Sequence, residues 1–146
     1  YFQNNEIIID KATILDHLPM KINDTYIHFN RILTIYSWGI KKDKKSVDCD
    51  IIFDLTKFQT KIDKDLDVHT ITGLTDIIQD SVIRHPKFLE LIETIVDNIE
   101  TMNPKNVGFI CNHGKHRSVA WAELIHKLYY KKLDNVKKGL YMGMGI

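Results

Sequence analysis

The sequence predicts an α/β fold: a single domain with a largely parallel sheet, flanking helices, and a phosphate-binding strand–loop–helix at 106–125. Three observations carry this. Short apolar runs at 51–53 and 107–110 read as buried strands of a parallel sheet, and 32–36 reads as a further strand. Segments with helical spacing of apolar residues lie between and after them, and alternating strands and helices argue α/β. Last, the run at 107–110 passes through one tight polar loop directly into a helical pattern.

Each element has its own warrant, taken in chain order. Tyr1-Phe2-Gln3 reads as the remnant of a protease-site tag, set apart from one domain over 4–146. Ile7-Ile8-Ile9 and the group Ala12, Ile14, Leu15 and Leu18 fit either strand or helix, ended by Pro19. The strand Ile32-Leu33-Thr34-Ile35-Tyr36 follows and ends at Ser37-Trp38-Gly39. Lys41 to Lys45 form a charged, solvated loop. The next strand covers 48–55, centred on Ile51, Ile52 and Phe53, with Asp54 at its C-terminal end, where α/β sheets present ligand-facing residues.

Residues 59–68 lack apolar periodicity and read as an exposed loop. Thr72-Gly73 leads into a helix over 76–83, and Arg84-His85-Pro86 breaks it. The helix at 86–102 has the clearest pattern, with Phe88, Leu91, Ile92, Ile95, Val96 and Ile99 at i, i+3, i+4 spacing. A further helix is expected from Ser118, read as its N-cap, to about Lys132. A last edge strand is expected over 135–142.

Composition narrows the classes. In 146 residues, 44% hydrophobic and 27% charged content suit a globular domain, and a net charge of +1 does not favour bulk nucleic-acid binding. No apolar run approaches the ~20 residues that span a bilayer, so no membrane partner is expected. Two cysteines make no disulfide framework and suit a reducing, cytoplasmic setting. Trp38 and Trp121 read as core, Cys49 as a small buried hydrophobe, and His17, His28, His69 and His126 as surface or packing residues.

The chemistry concentrates at Cys111-Asn112-His113-Gly114-Lys115-His116-Arg117-Ser118. A glycine-containing loop that opens a helix aims backbone N–H groups at one point, and anions bind there. Lys115 and Arg117 bring full charges to the same place, and His116 adds one when protonated. The spacing also matches Cys-x5-Arg-Ser of cysteine phosphatases, with Cys111 as nucleophile and Arg117 as phosphate clamp. Against that alternative, Ile110 stands where those enzymes usually have His, and no Asp is evidently placed as general acid. Cys111, His113 and His116 lack the usual zinc spacing, so neither metal nor organic cofactor is expected.

These residues, with others upstream, resemble the RapZ C-terminal domain family. The 111–119 segment is similar to C-T-G-G-[KQ]-H-R-S-V. Ser37-Trp38-Gly39-Ile40-Lys41 resembles S-F-G-[FY]-K, and Asp50-Ile51-Ile52-Phe53-Asp54 resembles D-x-x-F-D. Thr72-Gly73-Leu74 resembles T-G-x-D, followed at the family spacing by Arg84-His85. Five ordered blocks cover most of the chain. The resemblance implies a module for a phosphorylated amino sugar such as glucosamine-6-phosphate, with RNA as an alternative partner and a homo-oligomer left open. It implies that Cys111, Asn112, His113, His116 and Arg117 surround the ligand and that Arg84 reaches in. Ser37, Gly39, Thr72 and Gly73 would shape the pocket at the strand ends. The departures are Thr56 for Arg, Thr75 for Asp, and Asn112 and His113 for Thr and Gly, which crowd the pocket. Lys131, Lys132, Lys137 and Lys138 make only a thin basic stretch for RNA.

Overall fold

The computed structural model describes residues 10–19, 31–41, 46–60, 71–131, 133 and 135–141. The expected tag remnant, the Ile7-Ile8-Ile9 run, His28, His69, most of the 59–68 loop, the loop lysines at 42–45 and Lys132 lie outside them. Four strands form one parallel sheet: β1 (Leu33–Gly39), β2 (Ile51–Asp54), β3 (Asn106–Cys111) and β4 (Val136–Tyr141), in the order β2-β3-β1-β4. The helices are α1 (Lys11–Asp16), α2 (Asp76–Ile83), α3 (Phe88–Met102) and α4 (Arg117–Ile125), the last continued by a π-helical turn, His126–Tyr130. Of the ambiguous N-terminal group, Ala12, Ile14 and Leu15 are helical and Leu18 lies beyond the helix, which is started by Asp10, whose carboxylate accepts from the Thr13 N–H at 2.8 Å.

α4 is the central helix. It packs on β1 and β3 on one side and on α2 on the other. Ser118 through Ile125 are all buried, because a helix covered on both sides has no solvent stripe. Leu33, Ile35, Val107, Phe109, Trp121 and Ile125 build the interior beneath it. α3 has the expected single face: Phe88, Ile92, Ile95, Val96 and Ile99 are fully buried, and Leu91 is half-buried at its margin. It ends on Asn103 in the left-handed conformation (φ 47°), a helix stop that asparagine tolerates.

Four expectations need correction. The strand at 48–55 is shorter, beginning at Ile51. Asp50 instead accepts the backbone N–H groups of Lys105 and Asn106 at 2.8 and 3.2 Å, which ties down the entry to β3. The helix expected at 86–102 begins two residues later, at Phe88. The final helix is not α-helical to Lys132. It shifts to π geometry at His126, a register change that buries Tyr129 and Tyr130 side by side. Cys49 is half-buried rather than buried; it lies with Trp38 over Gly108, on the face of the sheet away from α4. Both tryptophans are core, Trp38 4% and Trp121 0% exposed.

The topology locates a site. The connection leaving β1 leads past β3 to β2, and Cys49, just before β2, lies with Trp38 over Gly108. The connection leaving β3 is α4 itself, which crosses β1 to reach β4. Where neighbouring strands lead off in opposite directions, open α/β sheets usually bind ligands beyond the C-terminal ends of those strands. Here those ends are Gly39 and Cys111, which are paired in register.

Candidate functional site

The loop after β3 is held on two sides by backbone. From β1, the ladder continues past the strand ends: the Ile40 N–H donates to the Cys111 carbonyl and the Lys41 N–H to the Asn112 carbonyl, both at 2.9 Å. From the segment before α2, the Gly73 N–H donates to the Lys115 carbonyl at 2.9 Å. His116 Nε2 lies 2.8 Å from the Ile71 carbonyl, which makes that nitrogen the protonated one. Gly39 and Gly73 are glycines because nothing larger fits. A Cβ on Gly39 would lie 2.2 Å from the His113 carbonyl carbon, and one on Gly73 would lie 2.4 Å from the His116 oxygen.

Within the loop, Gly114 takes φ 72°, and its N–H donates to Cys111 Sγ at 3.2 Å. The Cys111 thiol in turn donates to Ser118 Oγ at 3.2 Å. Cys111 is 2% exposed, and its sulfur is bonded on both counts within the strand–loop–helix. Ser118 is therefore not the N-cap expected from the sequence. The cap position belongs to His116, whose side chain does not cap, and α4 begins at Arg117. The first helical amide to find a carbonyl is Ala120, on His116 at 2.9 Å. The N–H groups of Arg117, Ser118 and Val119 precede it in the uncapped first turn, where a helix attracts an anion.

Arg117 is bound more tightly than its sequence context suggests. Its Nη1 donates to the carbonyls of Thr56 (2.9 Å), Leu55 (3.2 Å) and Phe58 (3.2 Å), the turn that leaves β2. Nε and Nη2 have no partner among the described residues. One end of the guanidinium thus braces the turn while the other keeps donors to offer. The same turn contributes Leu55 and Phe58 to a cavity of about 250 Å³ that runs outward to Lys87, Glu90 and Leu91 on α3. Asp54 and Lys57 also line this cavity, and none of residues 111–118 does. Phe58 stacks on His85 at 4.1 Å, and burial holds the His85 pKa below the ordinary histidine value.

The sequence-predicted residues divide by position. Asn112, His113, Gly114, Lys115 and His116 form the loop between Cys111, the last residue of β3, and Arg117 and Ser118, the first two of α4; Gly39, Thr72 and Gly73 adjoin it. His113 is exposed and Asn112 half-buried at its mouth. Ser37 is fully buried two residues below Gly39, its Oγ without a partner among the described residues. The structure does not bring Arg84 into contact with the loop: it is exposed at the far end of α2, about 12 Å of helix beyond Thr75. Asp54 ends β2 beside Ile110, exposed at the same edge of the sheet. The Thr56 N–H, bonded to its Oδ1 at 2.9 Å, holds its carboxyl below the usual range. Sequence reasoning missed Gln79, 4% exposed in α2; a polar residue flanked by Ile78, Val82 and Ile83 was the available signal.

Among the described residues no three His, Cys, Asp or Glu side chains gather as a metal site, and no helix is long and apolar enough to cross a membrane. Comparison with known proteins matches the RapZ C-terminal domain family model to residues 31–139. A nucleotide-binding protein of Agathobacter rectalis is 30% identical over 138 residues, 85% of this chain and 47% of its own length. One of Clostridium beijerinckii is 27% identical over 147 residues, 90% of this chain and 49% of its own. One of Zymomonas mobilis subsp. mobilis is 26% identical over 133 residues, 82% and 41%. The chain spans about half the length of these relatives, or less.

Proposed function

The chain belongs to the RapZ C-terminal domain family, and from that premise we propose that it is a binding module for a phosphorylated small metabolite, an amino-sugar phosphate by preference. The observation that carries this is the uncapped start of α4, set against a loop held from β1 and from the segment before α2. A phosphate seated there meets first-turn amides and the open nitrogens of Arg117, an arrangement that needs little reorganisation on binding. The amino-sugar preference comes from the resemblance to the family, and Asp54 is the residue we assign to the amino group. Its exposed carboxylate, held ionised, stands at the same edge of the sheet and matches an ammonium group on the sugar. The names of the relatives, which specify nucleotide binding, agree with a phosphorylated ligand at the level of class.

Binding without turnover is the reading the thiol supports. Cys111 is buried and spends its hydrogen bonds on Gly114 and Ser118, holding the loop's shape. RNA is a weaker partner on the same grounds: of the C-terminal lysines, Lys138 is already 3.1 Å from Glu123. Titration calorimetry with glucosamine-6-phosphate, glucose-6-phosphate and sulfate tests the reading, alongside hydrolysis of an aryl phosphate by the wild type and Cys111→Ser. Glucosamine-6-phosphate should bind tightest, with the margin over glucose-6-phosphate lost in Asp54→Asn. Hydrolysis that Cys111→Ser abolishes would replace the binding module with a phosphatase.

A further inference from the structure

Gln79 is the one buried polar side chain of α2. Burying a primary amide among isoleucines and valines is unfavourable unless its donors and acceptor are used. Both ends are used here, and for one purpose. Nε2 donates to the Gly73 carbonyl at 2.9 Å, and Oε1 accepts from Lys127 Nζ at 2.8 Å. Gly73 in turn donates its N–H to the Lys115 carbonyl at 2.9 Å. The chain of bonds runs from the π-helical turn, through α2, to the middle of the loop. Gly73 is thereby clamped at carbonyl and amide, against a wall that leaves no room for a Cβ.

We propose that Gln79, oriented by Lys127, is a positioning residue for the oxyanion loop: it fixes the Gly73 peptide, and through it the height of Lys115 and His116 above the start of α4. The inference rests on the loop being the anion site. Two features of the fold favour a dedicated role over packing. An apolar residue would fill the Gln79 position with less desolvation. The lysine that completes the bond comes from the turn where α4 departs from α-helical register.

Sulfate is the probe, since it does not titrate between pH 5 and 8. In Gln79→Leu, which keeps the volume and loses both bonds, sulfate should bind about three- to tenfold more weakly, the worth of one or two hydrogen bonds. The Gly73 amide should exchange with solvent faster while the global unfolding midpoint is retained. Lys127→Met should show the same pair of changes in smaller degree, and Lys127→Arg should restore both. Sulfate affinity and Gly73 exchange both unchanged in Gln79→Leu overturn the proposal and leave the anion site standing. A wild type that binds no sulfate overturns the anion site instead, and Gly73 exchange still decides whether Gln79 holds that peptide.

Discussion

Arg117 shows how a single residue can serve two masters at this site. Three backbone carbonyls of the turn after β2 converge on its Nη1, and such bonds to a charged donor contribute more than neutral ones. Arg117→Ala should therefore weaken the fold by about 2 kcal/mol as well as removing anion affinity. Arg117→Lys keeps the charge without the planar fork, so it should recover part of the affinity and little of the stability. Urea unfolding with and without sulfate separates the two. Equal unfolding midpoints for the wild type and Arg117→Ala would mean that the turn is held by something else.

At the scale of elements, α3 and the π-helical turn are joined by a buried charge cluster that has no part in the site. Arg31 Nη2 lies 2.9 Å from Glu100 Oε2, close as charges although poorly aligned as a hydrogen bond. Tyr130 Oη donates to the same carboxylate oxygen at 2.6 Å, and the guanidinium sits 5.4 Å above the Tyr130 ring. Burial, chiefly, pushes the Tyr130 pKa far up, so its hydroxyl stays a donor. Removing one partner strands the other. Glu100→Ala should cost about 3–5 kcal/mol, whereas Arg31→Met with Glu100→Leu should cost far less than the two single changes together. Additive costs in a double-mutant cycle would show the pair to be independent. The pattern of α3 announced Ile99 as core, but nothing in its spacing announced that Glu100 goes in beside it. Burial of that carboxylate depends on an arginine 69 positions away.

The whole molecule should respond to pH from both sides. His85 and His126 have folded pKa values held down chiefly by burial, so the unfolded chain takes up protons first; stability is full above about pH 6.5 and falls below it. Asp54 acts in the same direction at lower pH, its stabilisation lost as pH falls through its depressed folded value. On the alkaline side, burial pushes the Cys49 thiol up to about 11 and the Tyr129 and Tyr141 hydroxyls higher still. The unfolded chain loses those protons first, so stability falls as pH rises past about 9. Thermal unfolding across pH 4–11 should trace a dome with its top near pH 7–8.5. A melting temperature flat from pH 5 to 7 would mean that His85 and His126 are solvated.

The sequence by itself determined the alternation of strands and helices, the parallel sheet, and the loop at 111–118. Those features are written in local periodicity and in one glycine-bearing strand-to-helix turn, and neighbours in sequence decide them. What only the tertiary structure decided is how the loop is held and what each of its side chains faces. That Ser118 pairs with a thiol instead of capping a helix and that Arg117 is half committed to the turn after β2 both depend on which elements become neighbours. Gln79 could be noticed as an oddity on an apolar face, but its partners, Gly73 and Lys127, are brought to it by packing. Pairings across tens of residues leave no periodic trace, because the hydrogen bond that rewards them exists only after the sheet has formed.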